Sequence, residues 1–216
     1  MKLLHLPGGE VETLLNSPHG IIRDPEVHFE GTRVLFSMRR NIEDDYHLYE
    51  IDLVNKVSYE KGVRNLFCEA PFGPFREKVP DTFFASPVQR TFGSRISDIQ
   101  PIYLPDDSIV FSSTRDPKYI PCQRHLMANL FRLEADGSAL RQLGFNTQFE
   151  GRASLMPDGR ILYTRWEYVD KHFSSAYGLW TVNPDGTNHA LYYGNYAWQP
   201  AAIVDGRMIP GTEQFV

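Results

Sequence analysis

The stretch "GRASLMPDGRILYTR", Gly151 to Arg165, is the key to the architecture, because it is a second copy of "DIQPIYLPDDSIVFSSTR", Asp98 to Arg115. Pro157-Asp158 repeats Pro105-Asp106 and Tyr163 repeats Phe111, both at an offset of 52. The segments after these two stretches repeat as well. "NLFRLEADGSALRQL" (129–143) is matched by "GLWTVNPDGTNHALY" (178–192), with Asp185-Gly186 at an offset of 49 from Asp136-Gly137. Both copies have one plan: short strand, Pro-Asp turn, strand ending in Arg, long loop, strand, Asp-Gly turn, strand.

A third copy precedes these two. "DPEVHFEGTRVLFSMRR" (24–40) places Glu30-Gly31 at its first turn and ends its second strand at Arg39, and "HLYEIDL" (47–53) comes next. A half copy, "WQPAAIVDGRMIPGT" (198–212), carries Asp205-Gly206 at the expected first turn. The start supplies another half, "KLLHL" and "VETLL" around Pro7-Gly8-Gly9.

Strands of five to seven residues with partial alternation, separated by Gly, Asp and Pro turns, predict antiparallel hairpins. Four-stranded units of about 50 residues in tandem predict an all-β fold, a β-propeller of four-stranded antiparallel blades. A β-sandwich is the alternative, but sandwiches do not repeat the same turn residues at the same offsets. The expected boundaries are residues 1–16 for outer strands of a preceding blade and 24–58 for a first whole blade. An insertion fills 59–97, whole blades fill 98–143 and 150–193, and 197–212 hold inner strands of a following blade. The two halves could pair to close a ring of four blades. The preferred reading is a partial propeller, three whole blades and two half blades of a larger ring.

The 216 residues are 42% hydrophobic and 23% charged, which is globular composition. A net charge of −5 gives no broad attraction to nucleic acid. No run approaches the roughly 18–20 apolar residues of a membrane span. The start, "MKLLHLPGGEVETLL", is no signal peptide, since Gly8-Gly9 interrupts a short apolar run. A genuine N-terminus there would mean a cytoplasmic protein. Cys68 and Cys122 form no Cys-x-x-Cys-His, so c-type haem attachment within the chain is excluded.

In an up-and-down blade with strands a to d, inner to outer, the b–c and d–a connections share one end. The b–c loops here are 39–46, 115–128 and 165–177, and the insertion is expected in the first d–a connection. Long loops on a rigid scaffold are where binding residues concentrate. The ligand-binding candidates on that end are Arg115, Arg124, His125, Arg165, Trp166, Glu167, Tyr168, Asp170 and His172. Cys122, His125 and His172 are the metal candidates, with Glu167 and Asp170 able to add oxygen ligands. Cys and His three apart supply only two ligands, so no metal is expected. The plain structural reading stands beside each. The recurring Arg suits an ion pair with the acidic residue that opens an inner strand, Asp98 or Glu150. The aromatic run Trp166, Tyr168, Phe173, Tyr177, Tyr192, Tyr193, Tyr196 and Trp198 can line a pocket or wedge between blades. Phe67, Phe72, Phe75, Phe83 and Phe84 make the insertion too apolar for a free loop, so it covers the propeller, docks on a partner or folds onto its own blade. Gly-x-Gly-x-x-Gly, Walker, Gly-x-Ser-x-Gly and His-Glu-x-x-His signatures are absent.

"DIQPIYLPDDSIVFSSTRD" and "NLFRLEADGSALRQL" resemble the TolB-like, WD-repeat-like propeller family. "SLMPDGRILYTRWEYVD", "LWTVNPDGTNHALYYGN" and "CQRH" are similar to propellers related to the middle domain of the hydrazine synthase alpha subunit. The likeness covers roughly residues 20–57 and 98–212; the 59–97 insertion departs from it. It implies more blades, a periplasmic or otherwise exported protein, and c-type haem carried by other domains rather than by this chain. The leading expectation is a non-catalytic scaffold that binds a protein partner, the rest of the propeller or a small ligand on the b–c loop end. The alternatives are a domain of a periplasmic multihaem redox enzyme, or a hydrolase or lyase using His125, His172 and nearby carboxylates.

Overall fold

A computed structural model describes residues 1–54, 87–120, 125–170, 176–194, 199–200, 202–212 and 214–216. Every regular element among them is a strand. The strands are β1 (Lys2–His5), β2 (Glu10–Thr13), β3 (Ile21–Val27), β4 (Arg33–Arg39), β5 (His47–Asp52) and β6 (Val88–Gln89). They continue with β7 (Asp98–Tyr103), β8 (Ile109–Ser113), β9 (Asn129–Leu133), β10 (Leu140–Gln142), β11 (Glu150–Leu155), β12 (Ile161–Trp166), β13 (Tyr177–Val182) and β14 (Ala190–Tyr193). Three four-stranded antiparallel meanders result, β3 to β6, β7 to β10 and β11 to β14, beside a β1–β2 hairpin. These are the blades of a partial propeller, with β3, β7 and β11 innermost.

The turns explain the Asp-Gly signature. Ser108, Arg160, Ser138 and Thr187 each donate their backbone N–H to the side chain of the aspartate two residues earlier, at 2.8–3.2 Å. Such an Asx turn reverses the chain, and the next position takes positive φ. Gly137, Gly159 and Gly186 lie there at φ 75°, 87° and 86°.

The central strands are apolar on both faces because each blade is covered by its neighbours. On β4, Val34, Phe36 and Met38 pack with Leu15, Tyr49 and Ile51, while Leu35 on the other face joins Leu48, Tyr103, Ile109, Phe111, Phe131 and Leu133. On β12, Ile161 and Tyr163 face Val110 and Leu130 of the second blade, and Leu162 faces the C-terminal segment through Met156 and Leu179. A strand buried on both sides reads as a near-continuous hydrophobic run, which is why the alternation in the sequence is only partial. A polar relay crosses the layer between the second and third blades. His189 Nε2 donates to the Leu143 carbonyl at 2.9 Å, so its Nδ1 accepts from the Tyr163 hydroxyl at 2.8 Å. Burial pushes the Tyr163 phenol up.

Three expectations need correction. First, Val88–Gln89 pairs with β5 and is the outer strand of the first blade. The long segment within 59–97 therefore joins strands c and d, at the end opposite the b–c loops, and is not the d–a connection. A two-residue strand after so long a departure leaves no periodic signal in sequence. Residues 55–86, with Cys68 and the five insertion phenylalanines, lie outside the described residues. Second, Asp205-Gly206 is not the first turn of the closing half copy. That turn is Ile209–Gln214, closed by Ile209 N–H to the Gln214 carbonyl at 2.8 Å, as Leu104 N–H closes on Ser108 at 2.8 Å. Gly206 is there for space, since a Cβ would meet Leu179 Cδ1 at 2.7 Å. Third, β8 ends at Ser113, so Arg115 lies beyond its strand. The closing segment makes an isolated Met208–Phe215 bridge, and among the described residues no strand joins it to β1–β2.

Candidate functional site

The b–c and d–a connections do share one end, by the alternation of antiparallel strands. Two of the candidate arginines hold that end together. Arg115 Nη2 donates to Asp98 at 2.7 Å, and also to the Phe92 carbonyl at 3.2 Å. Arg165 Nη1 reaches Glu150 at 3.5 Å while its guanidinium lies 4.3 Å from the Trp180 ring centroid. Asp98 and Glu150, the first residues of β7 and β11, are completely buried. Arg39 differs, because the matching residue of β3 is Ile22; its guanidinium lies 5.4 Å from the Tyr46 ring instead. Trp166 is a buried member of β12. It stacks on Tyr177 at 5.4 Å and packs with Ile120 and Ala176 beneath the loops.

The remaining described candidates are at the surface. His125, Tyr168 and Asp170 are exposed and Glu167 is half-buried, its N–H held by the Ala176 carbonyl at 2.9 Å. Cys122, Arg124 and His172 lie outside the described residues, as do Phe173, Tyr196 and Trp198. The metal partners proposed for His125, namely Cys122 and His172, are thus both outside the described residues. Among the described residues no three His, Cys, Asp or Glu side chains gather as a metal site.

The same end collects apolar surface. Ile42, Phe92, Tyr119, Leu126, Phe145, Tyr168 and Val169 lie on its connections and are 44–76% exposed. On the connections of the opposite end, among the described residues, only Leu6, Phe29 and Val54 match them.

A second locus lies on the propeller axis, and sequence reasoning missed it. Each inner strand carries a β-bulge, between Arg23 and Glu26, Ile99 and Ile102, and Gly151 and Ser154. The bulges place Asp24, Gln100 and Arg152 at φ 53°, 55° and 52°, and Asp205 comes next at 64°. Left-handed backbone is uncommon at non-glycine residues and costs of order 1–3 kcal/mol each. Here it recurs once per repeat around one cavity of about 130 Å³. Hydrogen bonds link the four positions in order. Gln100 N–H donates to Asp24 Oδ2 at 3.1 Å, Arg152 N–H to Gln100 Oε1 at 3.0 Å, and Arg152 Nη1 to Asp205 Oδ2 at 3.4 Å. Glu26 and Arg207 complete the polar lining, 3.8 Å apart. Burial raises the Glu26 carboxyl above its ordinary range, and Arg207 only partly offsets this. The signal was present: aligned on Pro105, Pro157 and Pro210, the repeats stack Gln100, Arg152 and Asp205, residues whose polarity does not suit an inner strand.

No family model and no curated protein matches the sequence. Solved structures match its fold. TolB from Acinetobacter baumannii is 15% identical with a TM-score of 0.55, over 90% of this chain and 37% of that one. Hydrazine synthase from Kuenenia stuttgartiensis is 15% identical with a TM-score of 0.65, over 90% of this chain and 28% of that one. A chain of a nidogen/laminin complex is 12% identical with a TM-score of 0.54, over 87% of this chain and 53% of that one. At these identities the likeness is one of fold, a TolB-like β-propeller. The chain spans about a third of the first two structures' length.

Proposed function

We propose that this propeller segment is a binding module that docks a protein partner on the end bearing its b–c and d–a connections. One observation carries the reading. Seven large apolar side chains are exposed on connections of that end, from Ile42 in the first blade to Val169 in the third. Exposed apolar side chains gathered on one end of a rigid scaffold suit an interaction site, and Tyr119 and Tyr168 are of the aromatic type enriched in interface cores. The likeness to a propeller solved in a nidogen/laminin complex supports the same use of the fold. The buried arginine pairs make that end rigid rather than reactive, which favours docking over catalysis by this chain alone.

The test is affinity capture from the source organism with the wild-type chain and two variants. Tyr119→Asp with Phe145→Asp alters the proposed end; Phe29→Asp with Val54→Asp alters the other. A protein retained by wild type and by the second variant but lost from the first is the expected result. Equal retention by all three, or loss only from the second variant, overturns the reading.

A second reading rests on the hydrazine synthase likeness, the highest of the three TM-scores at 0.65. In it the chain is the propeller of a larger exported redox protein whose haem lies in other domains. The complete gene tests it. Cys-x-x-Cys-His motifs and an export signal are expected, and a gene with neither ends this reading.

A further inference from the structure

The axial cavity is built for a ligand that carries both charges. Three carboxylates line it, Asp24, Glu26 and Asp205, together with two guanidinium groups, Arg152 and Arg207. Asp24 is the one satisfied acid, held by Arg23 Nε at 2.8 Å and by the Gln100 N–H. The others are loosely paired. Arg207 stands 3.8 Å from Glu26 and 3.5 Å from Asp205, and Arg152 stands 3.4 Å from Asp205. Charge-assisted hydrogen bonds close to about 2.7–2.9 Å, so these separations leave each partner able to take a better one. Gln100 adds a donor: its Oε1 accepts from Arg152 N–H and the Ser112 hydroxyl, and its Nε2 hydrogens go to none of the described residues.

Volume narrows the choice. The described residues line a cavity of about 130 Å³. Sites for drug-sized ligands have about 300 Å³ or more, so the lining these residues provide suits a ligand of few heavy atoms. A lone cation would compete with the two arginines for Glu26 and Asp205, and a lone anion would face three carboxylates. A molecule with an ammonium beside a carboxylate meets both, its ammonium replacing an arginine at Glu26 and Asp205, and its carboxylate joining Arg152 and Arg207.

We propose that the propeller axis binds a small free α-amino acid, of the size of glycine, alanine or serine. The strained bulges are then the device that turns one polar side chain per repeat toward a common centre. None of the cavity's lining residues is among the seven apolar side chains of the docking end.

Isothermal titration of the purified chain with glycine and L-alanine tests this, with methylammonium chloride and sodium acetate as the two half-ligands. Saturable binding of an amino acid near millimolar Kd is expected, with each half-ligand at least about tenfold weaker. Glu26→Gln and Arg207→Leu should each weaken the amino acid at least about tenfold, while Arg160→Leu, outside the cavity, should not. Circular dichroism and thermal unfolding establish that each variant is folded. Absence of binding by either amino acid to folded wild type overturns the proposal. So does a half-ligand that binds as well as glycine, which would make the cavity a simple ion site, or affinity unchanged in both cavity variants.

Discussion

Arg115 Nη2 lies 2.7 Å from Asp98 Oδ2, and the aspartate has no exposed side-chain surface. The other carboxylate oxygen, Oδ1, is buried and has no hydrogen-bond partner among the described residues. Besides Arg115, the only nearby group able to carry positive charge among the described residues is His47, 4.0 Å away. Asp98 therefore depends on one arginine. Its counterpart Glu150 does not. Glu150 accepts from Asn129 Nδ2 at 2.7 Å and Asn146 N–H at 3.3 Å as well as from Arg165 at 3.5 Å. Lys118 in turn donates to the Asn129 side chain and the Asn146 carbonyl.

The first prediction rests on that contrast. Removing one partner of a buried pair costs about 3–5 kcal/mol, because the other charge stays buried and unpaired. Arg115→Leu should lose stability in this range by urea unfolding. Arg165→Leu should lose distinctly less, since two amide donors remain on Glu150. Equal losses would show that the amide donors do not substitute for the guanidinium.

Gly144 gives the second. The carboxylate of Glu150 occupies the space a Cβ on Gly144 would need. Gly144→Ala must displace a buried, hydrogen-bonded charge, so a loss at or above the ~1–3 kcal/mol typical of overpacking is expected. Gly159→Ala is the comparison. Nothing lies within 4 Å of its Cβ, but its φ is 87°, so only backbone strain is added. The variant at Gly144 should unfold at the lower urea concentration.

The third concerns acid. The hydrogen bond from Arg160 Nε at 2.8 Å is the main reason the Asp158 carboxyl titrates below its ordinary value, and the Arg160 N–H adds to it. The folded value lies below the unfolded one. The contribution is therefore complete above the unfolded pKa, about 3.9, and is lost as pH falls through the folded value. Asp185 is lowered in the same sense by the Thr187 hydroxyl. Both side chains are at the surface, so each effect is small. Thermal unfolding followed downward from pH 5 should show wild type losing stability below about pH 4, and Asp158→Asn with Asp185→Asn losing less. Identical pH profiles would refute the assignment.

The repeat in the sequence was enough to establish antiparallel blades, because turn chemistry is local. An Asp side chain caps the N–H two residues on whatever the rest of the molecule does, so Asp106, Asp136, Asp158 and Asp185 mark their turns wherever they stand. The same chemistry misled at Asp205-Gly206, where an identical dipeptide serves close packing against Leu179. Pairing of an arginine with the acid that opens an inner strand was also legible, since Asp98 and Glu150 stand at equal places in the repeat.

Which polar residues meet was settled by packing alone. The aligned repeats show Gln100, Arg152 and Asp205 at equal places, but the bulges that set left-handed backbone at Asp24, Gln100 and Arg152 are not announced by any local pattern. The short β6 strand, and with it the end from which the inserted segment departs, was likewise invisible, because two residues of pairing leave no period to read. The turns here arise from contacts two to five residues apart. The axial cavity comes from residues 52–76 apart brought together around one axis, and that closeness is a property of the assembled blades.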